Sequence, residues 1–214
     1  MARIVIFGGT GYSGSNIARE AVRRGHEVVS YARNAPAEPL DGVEYRTGSM
    51  ADRSVVDAAA QGADHLVVAL KAEDVDGQPM VERVPALVAA ARRHGARLSF
   101  VGGAASSLVA EGGPRLLDTP DFREEWRPEA TAHAAVLDAM RQAPEDLEWF
   151  YVSPAALYGS FAPGETTGSY RTGGDLLVTK EDGSSEISGT DLATAYVDEI
   201  ESGAHPRQRF TVGH

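Results

Sequence analysis

A glycine-rich segment near the start of the chain constrains the fold more than any other feature. Its residues, Gly8-Gly9-Thr10-Gly11-Tyr12-Ser13-Gly14, contain glycines at the spacing G-x-x-G-x-x-G. The segment directly follows a continuous apolar run over residues 4–7. It precedes apolar residues at helical spacing, Ile17, Ala18, Ala21 and Val22. A buried strand, a tight turn and an amphipathic helix in this order are typical of the first unit of a parallel α/β sheet.

Strand-length apolar runs alternate with helical patterns along the rest of the chain. Further strands are predicted over residues 27–31, 43–46, 65–70, 98–101, 149–152 and 209–212. Helices are predicted over 55–60, 79–93, 130–142 and 190–200, and Pro85 predicts either a kink in the second of these or its true start. The alternation predicts one domain over 1–214, an α/β fold with a doubly wound, Rossmann-like parallel sheet. The Gly- and Pro-rich residues 154–189 are predicted to form a substrate-side elaboration of loops and short strands.

The glycines of the first turn indicate a ligand that carries phosphate groups. One glycine permits the tight turn, another lets the backbone approach a pyrophosphate, and the last lets helix and strand pack closely. Amides at the helix N-terminus then face the phosphates, and the helix dipole adds to the attraction. The alternative is a glycine-rich turn without a ligand. In this strand–turn–helix context we expect dinucleotide binding by Gly8, Gly9, Thr10, Gly11, Tyr12, Ser13 and Gly14.

The end of the second predicted strand bears on which dinucleotide is bound. NAD-binding folds usually place Asp or Glu there, about 20 residues after the glycines, to accept hydrogen bonds from the ribose 2′-hydroxyl. This chain has Arg33 and Asn34 at that point and no carboxylate. A guanidinium can bind a 2′-phosphate through two hydrogen bonds and stack on adenine. The sequence therefore favours NADP(H) over NAD(H), with a solvent-facing arginine at a strand end as the alternative.

Charge and composition argue against several other classes of protein. The formal net charge is −11 and the basic residues are scattered, whereas a nucleic-acid surface needs clustered Lys and Arg. No stretch approaches the ~18 consecutive apolar residues of a membrane span, and no signal-peptide pattern is present. There is no cysteine, and no motif predicts a metal site. We therefore expect a cytoplasmic protein that acts on a small molecule.

Several short motifs carry a family resemblance over nearly the whole chain. They are residues 4–11 (IVIFGGTG), 42–44 (GVE), 62–64 (GAD), 101–104 (VGGA), 151–154 (YVSP) and 187–193 (ISGTDLA). In these motifs the chain resembles the atypical short-chain dehydrogenase/reductases, in their NmrA-like and NADH-flavin-reductase-like branch. The resemblance implies cofactor contacts in three places, the nicotinamide (Ala69, Leu70, Lys71), its ribose (Gly102, Gly103) and the adenine (Ser49, Met50).

The chain departs from that family at its catalytic residues. Typical members reduce carbonyls with a Tyr and a Lys four residues apart, and no Tyr-x-x-x-Lys occurs here. Glu129 and His133 fall near those positions, and their i, i+4 spacing predicts that they share a helix face. They could form an acid/base or ribose-holding pair, but His133 is also in line with Val136 and could be a histidine at the edge of the core. Tyr158, beside the predicted substrate region, is a third candidate.

Three functions are compatible with a bound dinucleotide and no Tyr–Lys pair. The preferred one is an NADPH-dependent oxidoreductase that transfers hydride to a flat redox acceptor such as a flavin or quinone, because solvent can then supply the proton. The second is a non-catalytic NADP(H)-binding redox sensor of the NmrA-like type. The third is a carbonyl reductase or epimerase in which Glu129, His133 or Tyr158 is a non-standard proton donor.

Overall fold

The centre of the protein is one eight-stranded sheet. The computed structural model describes all residues of the chain, Met1–His214. Its strands are β1 Arg3–Phe7, β2 Glu27–Ala32, β3 Val43–Thr47, β4 His65–Val68, β5 Arg97–Val101, β6 Trp149–Ser153, β7 Arg171–Thr172 and β8 Gln208–Gly213. They lie in the order β3-β2-β1-β4-β5-β6-β8-β7, and all neighbouring pairs are parallel except β7 with β8. The predicted doubly wound parallel sheet is confirmed.

Five α-helices cover the two faces of the sheet. They are α1 Tyr12–Arg23, α2 Arg53–Ala60, α3 Val84–His94, α4 Arg127–Arg141 and α5 Gly189–Ser202. Helices α1 and α5 share one hydrophobic core with the sheet, and α2, α3 and α4 share the other. Because both faces are covered, β4 is buried at every residue, and β1 at every residue after Arg3. This double burial accounts for the uninterrupted apolar runs over Ile4–Phe7 in β1 and Leu66–Val68 in β4.

The observed element boundaries differ most from the predicted ones at three places, and elsewhere by one or two residues. Pro85 lies in the first turn of α3, so the proline marks the true start of that helix, after a short 3-10 turn over Met80–Glu82. Helix α4 begins earlier than predicted because Pro128 fits a first helical turn, where no intrahelical amide bond is lost. Strand β4 ends at Val68, since only one further sheet bond follows, from the Ala69 amide to the Phe7 carbonyl (2.9 Å).

The strand order reverses between β1 and β4. From β1 the chain continues to β2 and β3 on one side, and β4 begins the series on the other side. The last residues of the two strands, Phe7 and Val68, are partners in register. Gly8 and Ala69 therefore begin two neighbouring loops at the carboxyl edge of the sheet. In open parallel sheets, the crevice at this point is where ligands bind.

Residues 154–189 contain little regular structure. Besides the two-residue strand β7, a backbone bridge joins Leu157 to Glu186. The buried carboxylate of Asp191, in the first turn of α5, accepts hydrogen bonds from the amides of Thr167 (2.8 Å) and Gly168 (3.0 Å). These two bonds attach the middle of the region to the N-terminal end of α5.

Candidate functional site

Two adjoining cavities lie over the carboxyl edge of the sheet. The β2-side pocket, of about 250 Å³, is bordered by the ends of β1 and β2 and by the loops after β3 and β4. The β5-side cleft, of about 680 Å³, is bordered by the glycine loop, the loops after β4 and β5, helix α4 and residues 158–161. Four residues line both cavities, Gly8, Thr10, Leu70 and Lys71. The two cavities therefore form one elongated site that crosses the glycine loop.

Two glycines of the loop are required by close contacts with backbone carbonyl oxygens of the protein. Gly8 has φ +89°, and a Cβ on it would lie 2.3 Å from the carbonyl oxygen of Ala69. A Cβ on Gly14 would lie 2.2 Å from the carbonyl oxygen of Gly8. Gly8 thus lets the loops after β1 and β4 meet, and Gly14 lets α1 pack against the turn. The left-handed backbone of Gly8 also permits the tight turn, and close packing at Gly14 is the role expected of the last glycine.

Helix α1 begins with backbone amides that have no partner in the chain. No side chain caps this end of the helix, and the amides of Tyr12, Ser13 and Gly14 donate to no other group of the protein. At Gly11, the N-cap, a Cβ would meet only the Gly8 carbonyl oxygen, at 3.3 Å. Unpaired amides at a helix N-terminus attract anions, and the helix dipole strengthens the attraction. This set of donors fits the pyrophosphate of a dinucleotide.

The β2-side pocket contains a charged cluster built from three separate segments. Arg33 Nη1 lies 3.0 Å from Asp76 Oδ1, and the other oxygen of the same carboxylate accepts a hydrogen bond from the Ser49 hydroxyl. The Ser49 hydroxyl and the Arg33 guanidinium hold the pKa of the Asp76 carboxyl below its usual range, so that it is charged at neutral pH. The Arg33 side chain is 75% exposed, which leaves most of the guanidinium accessible to a ligand.

Glu129 and His133 line the β5-side cleft and pair with each other. His133 Nε2 lies 3.1 Å from Glu129 Oε1, as their spacing on α4 predicts. The Glu129 carboxylate also accepts hydrogen bonds from the backbone amides of Ala72 and Glu73, both at 2.8 Å. Burial acts to raise the Glu129 pKa, but the bonds from His133 and the two amides outweigh it, and the pKa is lowered. Glu129 is therefore an ionised group that attaches the loop after β4 to helix α4.

The second ring nitrogen of His133 also faces the protein. The Tyr151 hydroxyl lies 3.3 Å from His133 Nδ1 and donates a hydrogen bond to the carbonyl oxygen of His133 (3.0 Å). The Tyr151 ring occupies the space beside Gly102, where a Cβ would lie 1.9 Å from a ring carbon. Both nitrogens of His133 are thus directed at protein groups, and its side chain is only 12% exposed. This environment fits a histidine at the edge of the core.

Aromatic side chains form one wall of the β5-side cleft. The Tyr158 hydroxyl donates to Ser13 Oγ (2.8 Å), and its ring packs edge-on against Tyr12 with centroids 5.5 Å apart. Burial raises the pKa of Tyr158. Phe161 lies at the rim and is 71% exposed. We call Tyr12, Tyr158 and Phe161 the aromatic wall.

Most of the residues predicted to bind the cofactor line these cavities. They are Gly8, Thr10, Gly11, Tyr12, Ser13, Arg33, Ser49, Met50, Ala69, Leu70, Lys71 and Gly102. Four predicted residues line neither cavity: Gly9, whose Cβ position is 2.4 Å from Ser30 Oγ, the packed Gly14, the exposed Asn34, and Gly103, which faces His133. The structure adds lining residues that the sequence did not predict, Asp74, Val75, Asp76 and Phe161.

A doubly wound sheet with unpaired helix amides beside a glycine loop at its switch point defines a Rossmann-like NAD(P)-binding protein. The family model described as NAD(P)H-binding matches residues 8–202, and the chain belongs to this family. Together with the similar structures below, the match confirms the resemblance to atypical short-chain dehydrogenase/reductases of the NmrA-like branch.

Similar proteins cover the whole length of the chain. It is 35% identical to the uncharacterized protein YwnB of Bacillus subtilis (strain 168), over 98% of this chain and 97% of that protein. Among solved structures, a protein of Burkholderia pseudomallei provisionally named as exported is 39% identical with a TM-score of 0.88, and both chains are covered to 100%. A Streptococcus pneumoniae TIGR4 protein provisionally named an NADH-flavin reductase is 31% identical with a TM-score of 0.87, again over 100% of both chains.

A third similar structure carries a different provisional name. This protein of Bacteroides thetaiotaomicron, provisionally called an epimerase, is 28% identical with a TM-score of 0.86, over 100% of this chain and 97% of that one. None of the helices of our chain has the length and apolar character needed to cross a bilayer. The cytoplasmic location stays a prediction.

Glu129→Gln is expected to weaken the binding of NADPH and NADH alike. The amide of glutamine replaces one acceptor oxygen, so the loop at Ala72 and Glu73 loses part of its attachment to α4. The loss of about one charge-assisted hydrogen bond predicts a Kd that rises roughly tenfold or more for both cofactors, measured by fluorescence titration. The control is Glu125→Gln. The Glu125 side chain is exposed, and its carboxylate pairs only with Arg123. Unchanged Kd values in Glu129→Gln would contradict this role of the loop.

Proposed function

We propose that this protein is an NADPH-dependent oxidoreductase that transfers a hydride to a flat redox acceptor such as a flavin or quinone. The observation that carries the proposal is the state of the three candidate proton donors in the β5-side cleft. Glu129 is ionised and accepts three hydrogen bonds. Both nitrogens of His133 face protein groups. The Tyr158 proton is donated to Ser13, and burial raises the Tyr158 pKa.

All three candidate donors bond to other groups of the protein, and this favours some of the reactions that a nicotinamide supports over others. When bound, NADPH supplies a hydride, that is, a proton with two electrons. Reduction of a carbonyl to an alcohol also needs a second proton at the forming alkoxide, which a positioned acid normally provides. A flavin or quinone instead spreads the added negative charge over its rings, and the second proton comes from solvent. The arrangement of Glu129, His133 and Tyr158 therefore favours an acceptor of this kind.

The other groups of the site lie where they could bind the cofactor and a flat acceptor. The unpaired amides of α1 would hold the pyrophosphate, and Arg33 would contact the 2′-phosphate. The cleft beside them, of about 680 Å³, is in the usual range for a small-molecule site. The aromatic wall offers ring surfaces against which a flat acceptor can stack. The similarity to a protein provisionally named an NADH-flavin reductase, 31% identical, supports the same acceptor class.

The proposal is tested by steady-state oxidation of NADPH with a panel of acceptors. We expect turnover with FMN, riboflavin or a benzoquinone, and none with aldehydes and ketones. Micromolar binding of NADPH without turnover of any acceptor would contradict the proposal and favour a redox sensor. Turnover of carbonyl compounds alone would favour the reductase with a non-standard proton donor.

Tyr158→Phe is expected to leave turnover of a flat acceptor within about fivefold of the unchanged protein. The substitution removes the hydroxyl and its bond to Ser13 but retains the ring against Tyr12, and a single neutral hydrogen bond is worth only about 1 kcal/mol. Steady-state kcat and KM for the acceptor are the measurement, and Tyr158→Ala, which also removes the ring, is the comparison. A loss of kcat by about 100-fold or more in Tyr158→Phe is the size expected for removal of a general acid, and would make Tyr158 the proton donor.

A further inference from the structure

The sequence lacks an acidic residue at the end of β2, but the fold brings one there from elsewhere. Asp76 lies on the loop after β4, and its carboxylate contacts Arg33 and Ser49, which lie on the loops after β2 and β3. All three residues line the β2-side pocket. A carboxylate thus borders the same pocket as Arg33, the residue to which we assign recognition of the 2′-phosphate.

The loop is folded so that Asp76 is held in this place. Asp76 has φ +51°, a left-handed conformation in which Asp and Asn are enriched among non-glycine residues. The Val75 amide donates to the Gln78 carbonyl (2.7 Å), and Arg83 Nη2 donates to the Val75 carbonyl (3.2 Å). The Ser49 hydroxyl oxygen accepts a hydrogen bond from the Ala51 amide (3.0 Å), and the Ser49 hydroxyl donates its own proton to Asp76. The carboxylate is therefore placed by contacts from both sides of the pocket.

A carboxylate and a guanidinium in the same pocket have opposite effects on the affinities for NADPH and NADH. A 2′-phosphate is an anion, so it must compete with Asp76 for Arg33 and is repelled by the carboxylate itself. A 2′-hydroxyl is a hydrogen-bond donor, and an ionised carboxylate is the acceptor that NAD-binding folds usually provide for it. Arg33 thus favours NADPH and Asp76 favours NADH.

We infer that Asp76 is a specificity-determining residue for the cofactor: it lowers the affinity for NADPH and accepts a hydrogen bond from the 2′-hydroxyl of NADH. This inference rests on the proposed function only in taking Arg33 as the 2′-phosphate contact. It implies that the chain binds both cofactors, with a ratio of affinities set by the pair of residues. The acidic residue missing after β2 in the sequence is replaced in space by one from the loop after β4.

The test is the binding of NADPH and NADH to Asp76→Asn, measured by fluorescence titration without an acceptor. Asparagine tolerates the left-handed backbone and nearly retains the shape of the side chain, but it removes the charge. We expect the Kd for NADPH to fall and the Kd for NADH to rise, each by roughly threefold, the size expected of a partly exposed charge. The ratio of the two Kd values then changes by about tenfold.

Two further variants make the test specific. Glu82→Gln removes a negative charge from the segment between β4 and α3, but Glu82 is exposed, forms no ion pair and does not line the pocket, so the ratio is expected to stay within about twofold. Ser49→Ala retains the Asp76 charge and removes the hydroxyl that holds it, so the ratio is expected to shift in the same direction as in Asp76→Asn, by less. If Asp76→Asn does not fold, the Ser49→Ala result decides.

The outcomes separate this inference from the proposed cofactor preference. If Arg33→Ala loses affinity for NADPH alone while Asp76→Asn and Ser49→Ala leave the ratio unchanged, the role of Asp76 is overturned and the preference for NADPH stands. If Arg33→Ala weakens both cofactors equally, that preference fails. A selective loss of NADH affinity in Asp76→Asn would then still support Asp76 as the acceptor for the 2′-hydroxyl.

Discussion

Gly8→Ala is expected to destabilise the protein by about 3 kcal/mol or more and to weaken NADPH binding by roughly 100-fold. The new Cβ would lie 2.3 Å from the carbonyl oxygen of Ala69 and 2.8 Å from Leu70 Cδ2. The first of these is a backbone atom of the neighbouring loop, so the contact is relieved only if the loops after β1 and β4 separate. We expect the bound cofactor to extend over this junction from one cavity into the other, because Gly8 and Leu70 line both cavities.

Gly25→Ala is a matched control for the backbone conformation. Gly25 has φ +82°, close to the +89° of Gly8, but no atom lies within 4 Å of its Cβ position. Alanine at this position is expected to lower the free energy of unfolding only by the cost of the left-handed conformation, about 1–2 kcal/mol. The cofactor site is unchanged. Urea unfolding gives the free energies and fluorescence titration gives the Kd values. Equal losses of stability in the two variants would show that the contact with Ala69 is unimportant.

The sequence predicted the fold best where a local pattern coincides with long-range packing. Strand β1 is apolar at consecutive residues because both of its faces are covered, and that same pattern identified it as a parallel strand. Gly25 ends α1 because its left-handed conformation suits the residue after a helix. Pro85 left two alternatives open, since a proline is compatible with a kink and with a first turn, and only the packing of α3 decides between them.

The hydrogen bonds and ion pairs within the candidate site were predictable only where the two partners are close in sequence. Glu129 and His133 are one turn apart on α4, so their pairing follows from helix geometry. The hydrogen bonds that the Ala72 and Glu73 amides donate to Glu129 join residues more than fifty positions apart, and no local pattern indicates them. Likewise, the Asp76–Gly77 dipeptide indicates a turn, but the direction of its carboxylate depends on distant contacts.

Arg33→Ala is expected to raise the Kd for NADPH by about 10- to 100-fold and to change the Kd for NADH by less than about threefold. A guanidinium bound to a phosphate through two charge-assisted hydrogen bonds is worth about 1.5–3 kcal/mol, and NADH has no phosphate at this position. Without Arg33 the Asp76 carboxylate also loses its ion pair and stays beside the 2′-phosphate. Both effects act against NADPH and neither acts against a 2′-hydroxyl.

The conservative variant and a charge control separate geometry from charge. Arg33→Lys retains the positive charge but not the planar pair of donors, so an intermediate loss of NADPH affinity is expected. Arg92→Ala removes the same charge at an exposed pair with Asp146, away from both cavities, and should leave both Kd values unchanged. Equal weakening of NADPH and NADH in Arg33→Ala would show that Arg33 does not read the 2′-phosphate.

A double-mutant cycle with Asp76→Asn measures how much of the Arg33→Ala effect comes from the carboxylate. If Asp76 opposes the phosphate directly, the double variant binds NADPH more tightly than Arg33→Ala alone, because the unpaired charge is gone. The ionic strength is a second measurement of the same interaction. Added salt should weaken NADPH binding more in the unchanged protein than in Arg33→Ala, since the favourable contact with Arg33 is screened only in the first. An equal dependence on salt in the two proteins would contradict a charge-assisted contact between Arg33 and the 2′-phosphate.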